Sequence, residues 1–164
     1  MHKDRYSAIK TAVPRLLDSL SFTTEKRLLQ VTVFLLAFIP ILAGGAGILL
    51  GPDIYLTNLA YTRSFDSHFH YLSGLLFAVG MGYWVCVPHI ELKHGAMTIL
   101  TLIVFIGGLS RMSIIPIDGF PGWGMSLALM LEVVITPLLW LWQTHLAHRY
   151  LSEIKKETHP HESN

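Results

Sequence analysis

Two ionisable residues stand inside otherwise apolar stretches, Arg111 in "IVFIGGLSRMSII" and Glu132 in "LEVVITPLLWLWQ". Ionisable groups within a membrane span are costly, and they usually face protein or water rather than lipid. A cation beside a carboxylate can hold an anionic headgroup, a small polar ligand or a proton. Near the start of an earlier apolar stretch, "FDSHFHYLSG" supplies Asp66, His68 and His70. Arg111, Glu132, His70, Asp66 and His68 together make a candidate cluster for ligand binding. A purely structural lock fixing the order of the helices would use the same residues, since buried pairs occur without catalysis in many proteins. No Ser or Cys pairs recognisably with a base, and no carboxylate pair suggests hydrolysis. The expectation is therefore a protein that is not an enzyme.

The nine histidines raise a second chemistry. His145 and His148 are three apart on a helical pattern, with His89 and His94 in another connection and His159 and His161 in the tail. Neighbouring imidazoles can share a metal. Haem would need histidines on two facing spans at matching depth, and no span carries one at its centre. No cofactor is expected, neither haem nor metal.

Such residues need elements to hold them. The chain of 164 residues is 52% hydrophobic and only 14% charged, and soluble domains carry nearly twice that charge fraction. Apolar stretches cover residues 28–50, 70–87, 96–115 and 125–142. Each is close to the roughly 20 residues that cross a bilayer core of about 30 Å. The first is too long, and too far from the start, for a signal-peptide core, so it reads as retained. The fold class expected is all-α: a four-helix transmembrane bundle with an amphipathic cytoplasmic segment before it. Its parts are a leader over residues 1–25, a membrane domain over 26–149 with spans at about 28–50, 68–88, 95–115 and 124–146, and a polar tail over 150–164.

Lys and Arg set the orientation. Lys3, Arg5, Lys10, Arg15, Lys26 and Arg27 precede the first span, Lys93 lies in the second connection, and Arg149, Lys155 and Lys156 follow the fourth span. The opposite side has Arg63 alone, so both termini should be cytoplasmic. A net charge of +1 gives no reason to expect nucleic acid. Membrane lipids are the expected partners, with a homodimer or a larger membrane complex as the assembly. Side chains in a helix tilt toward its N-terminus. In this topology Arg111 and Glu132 therefore lean toward each other, across two helices joined by the short turn "PIDGFPGWG", and a direct ion pair is expected.

Further expectations concern packing. In the leader, Tyr6, Ile9, Val13, Leu16, Leu17 and Leu20 have helical spacing, which suits an interfacial helix. Pro14 argues for a kink or a disordered segment instead. Thr23 or Thr24 would cap the first span. Gly74, Ala78 and Gly82 with His70, Ala43 with Gly47, and Gly107 with Gly108 form stripes of small residues that should face inward. Pro137 should loosen the helix below Glu132. Trp140 and Trp142 should anchor at the interface, and Cys86 should be a buried, inert thiol.

"KRLLQVTVFLLAFIPILAGGAGILLGP", "FHYLSGLLFAVGMGYW…PHIE", "IVFIGGLSRMSII" and "LEVVITPLLWLWQ" together resemble a bacterial four-helix membrane family, domain of unknown function 4345. The resemblance runs from Lys26 to about Gln143. That family often has arginine before "YLSG", where this chain has His70. The resemblance implies a multi-pass protein of the bacterial inner membrane, with Arg111 and Glu132 at the family's polar positions, and it implies no activity. Two functions follow as expectations. The first is an accessory or structural membrane subunit, and the second a small carrier or binding protein for a lipid, amphiphile or proton.

Overall fold

The computed structural model describes residues 2–54, 61–120 and 122–158, with main chain alone at 2–20, 118, 156 and 157. Helix α1 runs from His2–Leu50 and a 3-10 turn, Gly51–Ile54, closes it. Helix α2 is Arg63–Cys86 and α3 is His94–Met112. A single short turn of helix, α4 at Ile115–Asp118, leads to a fourth span in three pieces: α5 at Trp123–Met130, a π-helical turn at Leu131–Ile135, and α6 at Thr136–Thr158. Four stretches, Ser21–Ile54, Arg63–Cys86, His94–Ile117 and Trp123–Lys155, are long and apolar enough to cross a membrane.

Helix α1 packs on α2, α2 on α3, α3 on the fourth span, and α6 back on α1. Short connections in such a ring produce antiparallel neighbours. The third and fourth spans are neighbours, as expected from their short connection.

The first helix corrects one expectation. It has no start at Thr23 or Thr24, because the main chain is already helical from His2. The physical reason is a partner: α6 also continues past the apolar stretch, to Thr158. The Phe22 ring stacks on Tyr150 at 6.1 Å, with the Arg149 guanidinium 5.8 Å over it. The polar tail is accordingly helical where it begins, and its last residues, 159–164, lie outside the described residues. Pro14 does not break the helix, and the amphipathic face read for the leader falls on side chains outside the description. Helix α2 begins earlier than the apolar pattern implies, because the Thr62 hydroxyl accepts from the Phe65 N–H and caps it.

The apolar core gathers at one end, called here the basic end. Leu29, Ile90, Met97 and Leu146 are fully buried there, packed with Val33 and Cys86. At the opposite end the helices pack as two pairs. Gly44 and Gly47 of α1 meet Ser73 and Phe77 of α2, while Gly80 receives Ala37 and Ile41. Within the same pair Phe34 stacks on Trp84 and Phe38 meets both edge-on, and the Trp84 indole N–H donates to the Phe34 carbonyl at 3.1 Å. Contacts between the pairs, such as Gly82 against Leu100 and Tyr83 with Thr101, lie toward the basic end.

These contacts redraw the small-residue stripes. Gly82, Gly47 and Gly108 do pack, but Gly74 and Gly107 face open space, and Ala43 and Ala78 are exposed. The close seam between α1 and α2 is one residue out of register with the expected one, because Ser73 and Gly80 present the narrow face of α2. Trp140 and Trp142 also tie helices together. The indole of Trp140 donates to Thr98 at 2.9 Å and that of Trp142 donates to Glu25 at 3.2 Å, both across helices.

Candidate functional site

Arg111 stands in the last turn of α3, one turn after Gly108. Gly108 matters through what it lacks. A Cβ there would lie 2.7 Å from Val133 Cγ2 and 3.0 Å from Glu132 Cβ, so its absence lets α3 lie directly against the π turn. That turn is the local consequence of "TP". Pro137 has no N–H, and the ladder slips by one residue. Both the main-chain N–H and the hydroxyl of Thr136 then donate to the Leu131 carbonyl, the hydroxyl at 2.9 Å. The wider turn carries Glu132 toward α3. Arg111 Nη1 lies 3.3 Å from Glu132 Oε1, with side chains 41% and 18% exposed. The other carboxylate oxygen, Oε2, is buried and has no hydrogen-bond partner among the described residues.

A cavity of about 230 Å³ adjoins the guanidinium, between the end of α3, α4 and α5. Its walls are Ile114, Ile115, Phe120, Met125 and Leu129, and among the described residues Arg111 is its one charged group. An apolar cleft with one cation at its edge suits the head and the first carbons of an anionic amphiphile.

The remaining residues of the expected cluster are held elsewhere. His70 Nδ1 bonds to the Asp66 carbonyl at 2.9 Å and lies 3.2 Å from the Asp66 carboxylate. Its ring covers Gly51, whose φ of 63° is a left-handed turn that favours glycine. His70 and Asp66 thus brace the corner between α1 and α2. His68 sits beside Tyr71, their rings 6.5 Å apart, on a shallow exposed face with Arg63. The cluster is therefore divided, because the cap at Thr62 and the seam through Ser73 turn this side of α2 away from α3. At the same corner the Tyr61 hydroxyl donates to Asp53 at 2.9 Å. That bond to a carboxylate holds the phenol above its usual pKa.

A second polar group, at the basic end, was not singled out from the sequence. Glu25 accepts from Arg149 at 2.6 Å and from Trp142, while Lys26 meets Glu91 at 2.7 Å. Gln143, fully buried, donates to the Ile90 carbonyl at 2.8 Å and lies 3.0 Å from His94 Nδ1. Gln30 donates to the Val87 carbonyl, and so does Lys93 to that of Val85. The available signal was two amides, Gln30 and Gln143, inside apolar runs. Cys86 is buried as expected. His145 and His148 are exposed, and among the described residues no three His, Cys, Asp or Glu side chains are placed to hold a metal ion.

Four membrane-length helices, an ion pair between the third and fourth, and a polar network tying their basic end define an all-α, four-span transmembrane bundle. The chain belongs to the family described as Domain of unknown function (DUF4345), whose model matches residues 28–143. That stretch contains Arg111, Glu132, Asp66, His68 and His70, while Glu25, Lys26 and Arg149 fall outside it. No curated protein and no solved structure matches the chain.

Proposed function

We propose that this is a binding protein, not an enzyme, of the bacterial inner membrane, holding an amphiphile whose anionic head pairs with Arg111 while its apolar part enters the adjoining cleft. The observation that carries this reading is the half-exposed guanidinium at the edge of an apolar cavity. A second observation weighs against a purely structural lock. Helix order is already held at the basic end by Glu25 with Arg149, Lys26 with Glu91, and Gln143. Those bonds support reading the Arg111–Glu132 pair as more than a lock. With Lys26, Arg27, Lys93 and Arg149 on the cytoplasmic side, both termini are cytoplasmic and the site lies in the outer half of the bilayer. No cofactor is proposed.

An accessory or structural subunit is the second reading, and the sparse packing of α3 favours it. Leu102, Ile106 and Leu109 are all exposed on a helix held mainly by Gly108 at this end. A homodimer or larger membrane complex would cover them.

Exchanging both charges, Arg111→Glu with Glu132→Arg, separates the two readings. The swapped protein should fold, since opposite charges still face each other, but should lose the anionic lipid that wild type retains in native mass spectrometry after gentle extraction. Retention of the same lipid by the swapped protein would sink the binding reading. A wild-type spectrum showing a bound subunit and no lipid would favour the accessory one.

A further inference from the structure

We infer that Arg111 and Glu132 form an exchange pair, in which an anionic head takes Arg111 and Glu132 takes a proton, so that ligand and proton enter the site together. This rests on the binding reading above and assigns its regulation.

The three Lys or Arg ion pairs of the described residues are not alike. Arg149–Glu25 and Lys26–Glu91 close to 2.6 and 2.7 Å, whereas Arg111 and Glu132 stand at 3.3 Å. Charge-assisted hydrogen bonds usually fall at about 2.7–2.9 Å. The guanidinium is thus held loosely and, at 41% exposure, keeps donors for another anion. Glu132 has no substitute waiting. Its Oε2 is buried without a partner among the described residues, lying over the space left by Gly108.

The neighbours define what happens when an anion arrives. Of the elements packed against the π turn, α3 brings Arg111, while α5 brings no titratable group. The first on α6 is His145, exposed and about 20 Å further along the helix. The empty pair is neutral overall. An added anion would leave one uncompensated negative charge at low dielectric, which is costly. Neutrality returns when one proton from the aqueous phase forms an O–H bond at the Glu132 carboxylate. Nothing else is transferred. The protonated carboxyl is also the smaller loss on giving up Arg111, since a neutral acid needs no counter-ion.

The test uses full-length protein in nanodiscs of zwitterionic lipid, with oleoyl lysophosphatidylglycerol as probe, because its phosphodiester keeps one negative charge through the pH range used. Wild-type affinity should fall about tenfold for each unit of rising pH, above the pKa of the empty-site carboxyl. Glu132→Gln should bind with little pH dependence, and Arg111→Gln should bind weakly throughout. Should Glu132→Gln fail to fold, proton uptake on adding probe to wild type in weakly buffered solution gives the same answer, at one proton per probe bound. Binding that depends on Arg111 but takes up no proton overturns the exchange and leaves the binding reading standing. Absence of binding at every pH overturns both. Oleate and free phosphate as further probes separate a requirement for an acyl chain from simple anion binding.

Discussion

Gly44, on the seam between α1 and α2, and Gly74, which faces away from it, offer a matched pair of perturbations, because both lie in membrane-spanning helices and the same substitution should have opposite signs. A Cβ at Gly44 would sit 2.5 Å from the Phe77 nitrogen, 2.7 Å from the Ser73 carbonyl oxygen and 2.9 Å from the Phe77 Cα. All three are main-chain atoms that no rotamer change can move. Ordinary separations are about 3.5–4.0 Å, so α1 and α2 must part by roughly 1 Å, and overpacking of this kind costs about 1–3 kcal/mol. Replacing glycine in a helix returns about 0.5–1 kcal/mol. Gly44→Ala should therefore destabilise by up to about 2.5 kcal/mol. At Gly74 an added Cβ would meet no other element within 4 Å among the described residues, so Gly74→Ala keeps only the helical gain of about 0.5–1 kcal/mol. For a chain of this size each kcal/mol moves Tm by about 2–4 °C. Gly44→Ala should melt up to about 10 °C below wild type and Gly74→Ala about 1–4 °C above it. Thermal scanning in one fixed detergent, with a thiol-reactive dye reporting exposure of the buried Cys86, reads both. If Gly74→Ala destabilises as much as Gly44→Ala, the assigned seam between α1 and α2 is wrong.

Three other outcomes are expected. Gln143→Leu leaves the Ile90 carbonyl and His94 without their partner; it should cost about 1–3 kcal/mol and speed the labelling of Cys86, and an unchanged labelling rate would contradict the assigned role. Gly108→Ala should push Val133 and Glu132 off α3, cost about 1 kcal/mol after the helical gain, and weaken probe binding about fivefold; unchanged binding would show that Val133 simply rotates aside. The Tyr61 phenol is held above its ordinary pKa, first by its hydrogen bond to Asp53. The bond therefore contributes below the unfolded phenol's pKa and is lost as pH rises through the folded one. Ultraviolet titration of wild type against Tyr61→Phe should show this phenol ionising late, and Asp53→Asn should bring it back toward ordinary tyrosine; no shift in Asp53→Asn would remove the hydrogen bond as the cause.

Apolar length and the rarity of charge decided the four spans from residue order alone, since a bilayer sets the length of any helix that crosses it. The Arg111–Glu132 pair was legible for a related reason. Helix direction fixes which way a side chain leans, and the short turn between the third and fourth spans leaves their helices few arrangements. Pro137 likewise announced a weakened ladder, although the π turn that answers it depends on the Thr136 hydroxyl and on α3 lying close.

Which face of each helix meets its neighbour was settled only by packing. Gly74 and Gly80 look equally suitable as small residues, and Ser73, Phe34 and Trp84 together chose Gly80. That choice turned His70 and Asp66 toward Gly51 and away from Arg111. The basic-end network was hidden for the same reason, because Glu25 and Arg149 are separated by most of the chain and meet only when α1 and α6 extend side by side. Local pattern reports how much of a helix must leave water. The rotation of one helix against another depends on atoms from both, so no single stretch of sequence contains it.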